Sequence, residues 1–136
     1  DLPLGGIHIP KHFHHYIFSH RHEINGGILM TTSTPVIQLA PRPVHANRFL
    51  SRLLGMFSPV AKRRGAVVIY PCSSIHTFFM NKPLHIVFLD SSRNVLACHD
   101  SVAPFKTLAC PGSYYVFETG AGVLNQKLEV GDVVDF

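Results

Sequence analysis

The sequence predicts an α+β domain whose mostly antiparallel sheet is curled into a small barrel. Short β-branched and aromatic runs recur from Gly65 to the end of the chain, turn residues separate them, and a helical repeat of apolar residues precedes them. An apolar fraction of 46% over 136 residues is enough for the core of one domain. Short strands of this kind are typical of sandwiches and small barrels.

Residues 1–29 differ in composition from the rest of the chain, since they hold six of the ten histidines: His8, His12, His14, His15, His20 and His22. Histidine-rich tracts can bind metal, but no carboxylate or cysteine pattern completes a site here. We therefore predict no metal and no cofactor. Met30 would serve well as a natural N-terminus, so we expect 1–29 to be a flexible leader and 30–136 to be a single globular domain.

The first elements of that domain are a strand and an amphipathic helix. Alternation over 34–40 predicts the strand, and the prolines at 41 and 43 end it. Apolar residues then recur at helical spacing over 44–54, with Arg48 and Arg52 on the opposite face, and Gly55 is suited to end the helix. We interpret 58–65 as a polar connection.

Strands dominate the remainder. The run at 66–70 is apolar throughout, which predicts a strand covered on both faces. Further strands are predicted at 75–80, 84–90, 94–99 and 113–118, and 84–90 and 94–99 form a hairpin. We expect a loop at 106–112, one short helix at 120–127 and a tight turn into a last strand within 129–136.

Three segments in order carry a family likeness: RFLSRLLGM at 48–56, the stretch from RRGAVVIY to SSRNVLA at 63–97, and YYVFETGAGVLNQKLEVGDVVDF at 114–136. Together they resemble the domain of unknown function 192 family over about 35–136. The resemblance implies a compact β-rich fold of prokaryotic origin without an established activity. His85 stands where related domains usually have Asp, and Arg93 stands where they usually have Gly in a hairpin turn.

Charge and composition limit the possible partners. No Asp or Glu occurs from Ile24 to Leu89, and most of the basic residues there fall in 42–64. This stretch makes a weak nucleic-acid or anion binder one alternative, but we do not favour it because the aromatic residues do not alternate with the basic ones. No apolar run of 18 residues and no signal peptide is evident, so we expect no membrane partner and a cytoplasmic location.

The segment PCSSIHTFFM at 71–80 holds most of the candidate site residues. A catalytic pair of Cys72 and His76 would need a sharp turn, because four residues of extended chain separate side chains by about 13 Å. A metal site of His76 and His85, joined by Cys72 or Asp90, lacks a recognisable ligand spacing. Alternatively, polar side chains rim a pocket that aromatic residues and Met80 line.

We predict a small domain that binds an unknown small molecule or protein, without established catalysis. Six residues are the candidates for this site: Cys72, Ser74, His76, Thr77, Met80 and His85. The alternative is a hydrolase centred on Cys72, His76 and His85. The sequence defines no oligomeric state, and it also defines no distance between the acidic residues Asp90 and Glu118, so we do not pair them as an acid and a base.

Overall fold

The computed structural model describes residues 21–24, 27–30 and 33–136, apart from the side chains of 21–30 and of 49 and 50. The chain divides into two units between Pro35 and Val36. In the first unit, β1 (Arg21–Ile24) and β2 (Gly27–Met30) pair as an antiparallel hairpin. Residues 1–20, 25 and 26 of the segment that we expected to be a flexible leader lie outside the described residues, and that expectation stays a prediction.

The backbone of the second unit, 36–136, is described throughout and contains nine strands, two short helices and one 3-10 turn. Its first half comprises β3 (Val36–Gln38), β4 (Val44–Ala46), α1 (Phe49–Leu54), the 3-10 turn (Gly55–Phe57), α2 (Pro59–Arg64), β5 (Ala66–Ile69) and β6 (Ser74–His76). The second half comprises β7 (Leu84–Leu89), β8 (Val95–Val102), β9 (Thr107–Ala109), β10 (Tyr115–Gly120) and β11 (Val133–Asp135). The β-rich α+β class is confirmed.

A five-stranded sheet in the order β4-β5-β10-β7-β8 forms the body of this unit. The pairs β5·β10, β10·β7 and β7·β8 are antiparallel, whereas β4 runs parallel to β5. Two separate ribbons pair β3 with β11 in parallel and β6 with β9 antiparallel. Across 36–136 the five-stranded sheet is therefore mixed, with three antiparallel pairs and one parallel pair, and it does not close into a barrel, so the predicted mostly antiparallel sheet curled into a small barrel holds only in part. The strands β3, β4, β6, β9 and β11 have only three residues each, too few to carry a ladder around a barrel.

The central strands are buried on both faces, as predicted for 66–70. Along β7, Ile86 and Phe88 contribute to one core cluster while Val87 and Leu89 contribute to the other. This alternation follows from the two-residue period of a strand. We call the side that holds Ile86 and Phe88 the cavity face of the sheet, because the candidate site lies there.

The helix predictions were partly wrong. Residues 44–46 form β4 instead of the start of a helix, because they pair with the buried strand β5. The expected polar connection contains α2, where Ser58 accepts a hydrogen bond of 3.0 Å from the Ala61 N–H, Pro59 occupies the first turn, and Gly65 ends the helix at φ 89°. Ser58, Pro59 and Gly65 are standard signals for the start and end of a helix. The helix between them has only six residues, so the sequence shows no long helical repeat of apolar residues there. Residues 121–126, within the second predicted helix, form turns.

Two strand predictions also differ from the structure. The strand expected at 75–80 ends at His76, because the next residues turn back toward Ala103 and Lys106. The expected loop at 106–112 instead contains β9, which pairs with β6 in the register Ser74 to Ala109. Among the described residues, no helix is long and apolar enough to cross a membrane.

Candidate functional site

A cavity of about 330 Å³ opens on the cavity face of the sheet. Its apolar wall consists of Leu53, Ile69, Pro71 and Ile75. Its polar lining consists of Arg52, Cys72, Ser73, Ser74, His76 and Glu118. Residues from α1, β5, β6 and β10 thus converge on one space, which we call the main cavity.

The segment that follows β5 forms one side of the main cavity. The Cys72 N–H donates to the carbonyl of Tyr114 at 2.9 Å, and the carbonyl of Ser73 accepts from the Cys110 N–H at 2.8 Å. The chain then enters β6, whose Ile75 points into the core. These backbone bonds hold the polar residues of 72–76 at the rim of the cavity.

Glu118 is the most unusual side chain of the site. It lies on β10 between buried residues and is only 4% exposed. Its Oε2 accepts a hydrogen bond of 3.2 Å from the Met56 N–H, within the 3-10 turn. Burial raises the pKa of this carboxyl to about 7, although the Met56 hydrogen bond acts in the opposite direction. The carboxyl therefore binds its proton more tightly than an ordinary glutamate does.

Gly55 makes the position of Glu118 possible. A Cβ at Gly55 would lie 3.1 Å from Oε2 of Glu118 and 3.3 Å from Cδ1 of Ile69. Gly55 also adopts φ 48° and ψ −132°, a conformation that side chains strongly disfavour. The glycine thus turns the chain after α1 and also lets the backbone approach the carboxyl closely.

Cys72 lies beside this carboxyl but is not activated as a nucleophile. Its Sγ donates to the carbonyl of Ser74 at 3.0 Å. Burial raises the pKa of the thiol, and nearby Glu118 raises it further, while the Ser74 hydrogen bond and Arg52 lower it. No hydrogen bond joins Cys72 to His76 among the described residues. The thiol is therefore protonated at neutral pH, and it donates to the backbone carbonyl of Ser74 and not to His76.

His76 faces both the main cavity and a smaller one of about 20 Å³. Its ring stacks on Phe78 with centroids 5.1 Å apart, and its Nδ1 lies 3.5 Å from the Phe78 N–H, which donates to it. The smaller cavity is also lined by Glu118 and Met80. His76 and Glu118 therefore stand at the boundary between the two cavities.

Thr77 has a structural position. It is 1% exposed, and its Oγ1 donates to the Ala103 carbonyl at 2.8 Å and accepts from the Lys106 N–H at 3.0 Å. These bonds fasten the end of β6 to the loop before β9. Thr77 does not line either cavity.

His85 also lies outside both cavities. Leu84, its neighbour on β7, lines the smaller cavity, whereas the Nε2 of His85 lies 3.2 Å from Sγ of Cys98 and 3.6 Å from Oδ1 of Asp100. Burial lowers the pKa of His85, and the charge of Asp100 partly offsets this. Burial and Asp100 raise the pKa of Cys98 to about 11. His85 thus belongs to a second polar cluster on β7 and β8.

The structure brings together four of the six candidates: Cys72, Ser74 and His76 in the main cavity, and Met80 in the adjoining one. It does not bring Thr77 or His85 to them. Glu118 was missed, although one signal could have found it. Alternation along β10 places Glu118 on the same face as Val116, and a carboxyl on a core-facing position of a buried strand marks a functional site.

An open β-rich α+β domain with a polar cavity on one face of its sheet is the class that these features define. The model of the domain of unknown function 192 family, described as uncharacterized ACR, matches residues 42–136, and the chain belongs to this family. The predicted resemblance is confirmed.

Two similar proteins are an archaeal relative and a solved bacterial structure. A UPF0127 protein of Thermococcus sibiricus is 31% identical over 97 residues, which cover 67% of this chain and 63% of the relative. The crystal structure of a protein of unknown function from Novosphingobium aromaticivorans is 16% identical at a TM-score of 0.49, covering 65% of this chain and 66% of that one. The chain therefore spans somewhat less than two thirds of the length of each.

Proposed function

We propose that this domain binds a small polar molecule in the main cavity, and that Glu118 holds the hydrogen-bond donor end of the ligand. One observation carries the proposal. Glu118 is a buried carboxyl that lines an open cavity, and the Met56 N–H is its hydrogen-bond donor among the described residues. A carboxylate can accept several hydrogen bonds, and a ligand amine, amidine or hydroxyl group would supply further donors from the cavity.

The walls of the cavity support a ligand of metabolite size. A volume of about 330 Å³ is at the lower end of the range for small-molecule sites. Ile69 and Ile75 give the cavity an apolar wall, and Ser73 and Ser74 add hydroxyl groups at the rim. Such a mixture of apolar wall and few polar groups is typical of ligand pockets.

The two charged side chains of the cavity support a ligand with two different ends. Arg52 donates from Nη1 to the Pro71 carbonyl at 3.3 Å and lowers the pKa of Cys72. The pKa of Glu118 is shifted by burial and by the Met56 hydrogen bond, and Arg52 is not among the causes. A guanidinium has further donors to offer an acceptor group. The ligand class is therefore a small amphoteric molecule, with its donor end at Glu118 and its acceptor end toward Arg52.

The contacts give less support to the two alternatives. A hydrolase centred on Cys72, His76 and His85 would need the histidines within reach of the thiol, and no such contact joins them in the described residues. For the nucleic-acid alternative, the basic residues at 62–64 end α2, where cations are favoured by the helix dipole, and Lys62 lies 4.6 Å from the Phe57 ring. These contacts explain the basic segment locally.

Binding of small amphoteric and cationic probes tests the proposal. Amide shifts of the full chain would be followed by NMR during titration with amino acids, small amines and benzamidine, with neutral benzamide as the matched probe. We expect shifts at Cys72, Ile75 and Glu118 with the first set and weaker shifts with benzamide. Glu118→Gln should weaken binding about tenfold or more, and Glu129→Gln, at an exposed acid, should leave it unchanged.

Two results would contradict the proposal. One is that none of the probes changes the chemical shift of any amide in the main cavity. The other is equal affinity of the wild type and Glu118→Gln for a probe that does bind in the cavity.

A further inference from the structure

A second cluster of polar side chains lies on β7 and β8, and the proposed ligand site does not use it. His85 comes from β7, and Cys98 and Asp100 come from β8, two residues apart and therefore on one face. The β7·β8 register shifts between Leu84 and Ile86, at the position of His85. Cys98 packs against the core cluster on the side of the sheet opposite the main cavity.

The donor atoms of this cluster form a compact triangle. His85 Nε2 lies 3.2 Å from Cys98 Sγ and 3.6 Å from Asp100 Oδ1, and the latter two atoms are 3.9 Å apart. Tetrahedral zinc has bonds of about 2.3 Å to sulfur and about 2.0–2.2 Å to nitrogen and oxygen, which place the donor atoms about 3.4–3.6 Å apart. Each side of the observed triangle is within about 0.4 Å of this range.

We propose that His85, Cys98 and Asp100 bind one zinc-type divalent ion, with a fourth coordination position open to solvent. Thiolate and imidazole donors favour Zn²⁺ and similar ions over Mg²⁺ and Ca²⁺, which prefer oxygen ligands. Three protein ligands with one open position are typical of zinc sites that also hold water.

The direction of the contacts separates a metal site from a catalytic triad. In a nucleophile–base–acid relay, the acid contacts the ring nitrogen opposite the nucleophile. Here both Cys98 Sγ and Asp100 Oδ1 approach the same nitrogen, Nε2 of His85. The three donor atoms therefore lie within 3.9 Å of one another, as the ligands of one metal ion do.

One residue of this cluster is buried and another is exposed to solvent. The His85 side chain is 7% exposed, whereas that of Asp100 is 73% exposed. An ion can therefore reach the cluster from solvent at Asp100 and meet the fixed imidazole below. Binding of the metal ion displaces the thiol proton of Cys98, because the thiolate is the form that coordinates a metal.

Cobalt(II) is a suitable probe for this site, because a thiolate ligand gives it a near-ultraviolet charge-transfer band that histidine ligands do not. The full reduced chain would be titrated with Co²⁺ and then with Zn²⁺. We expect a thiolate band that saturates at one ion per chain and is abolished by Zn²⁺. The band distinguishes the cluster from the histidine-rich segment at 8–22, which contains no cysteine.

Variants assign the band to residues. Cys98→Ser should abolish it, while the matched thiol variants Cys72→Ser and Cys110→Ser should retain it. Asp100→Asn, at an exposed position where misfolding is not expected, should weaken Co²⁺ affinity about tenfold or more. Three results would overturn the proposal: no thiolate band in the wild type, Co²⁺ bound without that band, or a band that persists in Cys98→Ser.

Discussion

The carboxyl of Glu118 accepts a hydrogen bond of 3.2 Å from the backbone N–H of Met56. This contact joins the central strand β10 to the 3-10 turn that follows α1. It also fixes a titratable group at the inner wall of the main cavity. The proposed ligand site therefore depends on how the backbone near Gly55 accommodates that carboxyl.

Gly55→Ala should destabilise the domain by about 3 kcal/mol. The new Cβ would lie 3.1 Å from Oε2 of Glu118, and the backbone conformation at this position disfavours any side chain. Gly112→Ala is the matched control, since Gly112 has φ 87° but a Cβ added there would have no other atom within 4 Å. It should cost about 1 kcal/mol. Urea unfolding measures both, and equal losses would argue against a close Gly55–Glu118 contact.

Stability should fall as pH rises through the range in which Glu118 titrates. The folded protein binds the Glu118 proton more tightly than the unfolded chain, because the pKa rises from 4.5 to about 7 on folding. Between these values unfolding releases a proton, so each increase in pH favours the unfolded state. The full loss is about 3 kcal/mol at about 1.4 kcal/mol per pKa unit.

Glu118→Gln isolates this effect from other titrating groups. The variant should lose about 3 kcal/mol less stability than the wild type between about pH 4 and pH 8, as measured by urea unfolding at each pH. Glu129→Gln should behave like the wild type, because Glu129 is exposed. Parallel pH profiles for the wild type and Glu118→Gln would show that the carboxyl is not buried as described.

Cys72 should react slowly with iodoacetamide at neutral pH. Burial raises the pKa of its thiol, and the thiolate is the reactive form. We expect a rate about tenfold or more below that of N-acetylcysteine, followed by peptide mass spectrometry. His76→Ala should leave the rate unchanged. A rate above that of the free thiol, lost in His76→Ala, would instead support the hydrolase alternative.

We expect the backbone conformation of Arg93 to lower the stability of the fold and its side-chain contacts to offset that loss. Arg93 has φ 65°, while its Nη1 donates to Asp135 Oδ1 at 2.6 Å and its guanidinium lies 4.1 Å from the Phe136 ring centroid. Arg93→Ala removes the side-chain contacts but keeps the backbone strain. Arg93→Gly removes the contacts and relieves the strain as well, because glycine adopts positive φ at no steric cost. The Gly variant should therefore be about 1 kcal/mol more stable than the Ala variant in urea unfolding. An Ala variant at least as stable would contradict a strained turn.

Much of the fold could be predicted from local pattern. The apolar run at 66–70 and the hairpin of β7 and β8 follow from residue type and period, which act within a few neighbours. Residues 44–46 could not be assigned in this way, because their pairing with β5 depends on chain about 20 residues away. The small barrel could not be predicted for a related reason, since whether a sheet closes depends on the pairing of distant edges and not on any local signal.

Only about half of the candidate site could be predicted from the sequence. Cys72, Ser74 and His76 are close together in the chain, and the structure keeps them on one cavity. Glu118 comes from a strand far along the chain, and Gly55 and Met56 come from another element. The pairing of β10 with β5 brings these residues together, and a single sequence does not reveal that register.

The pKa of Glu118 tests the central claim most directly. A pH titration of its side-chain carboxyl carbon, followed by ¹³C NMR and assigned by comparison with Glu118→Gln, would give this value. We predict a pKa of about 7, because the carboxyl is buried at the wall of the main cavity. A pKa near 4.5, the ordinary value for this side chain, would contradict the buried site and the ligand-binding function proposed for it.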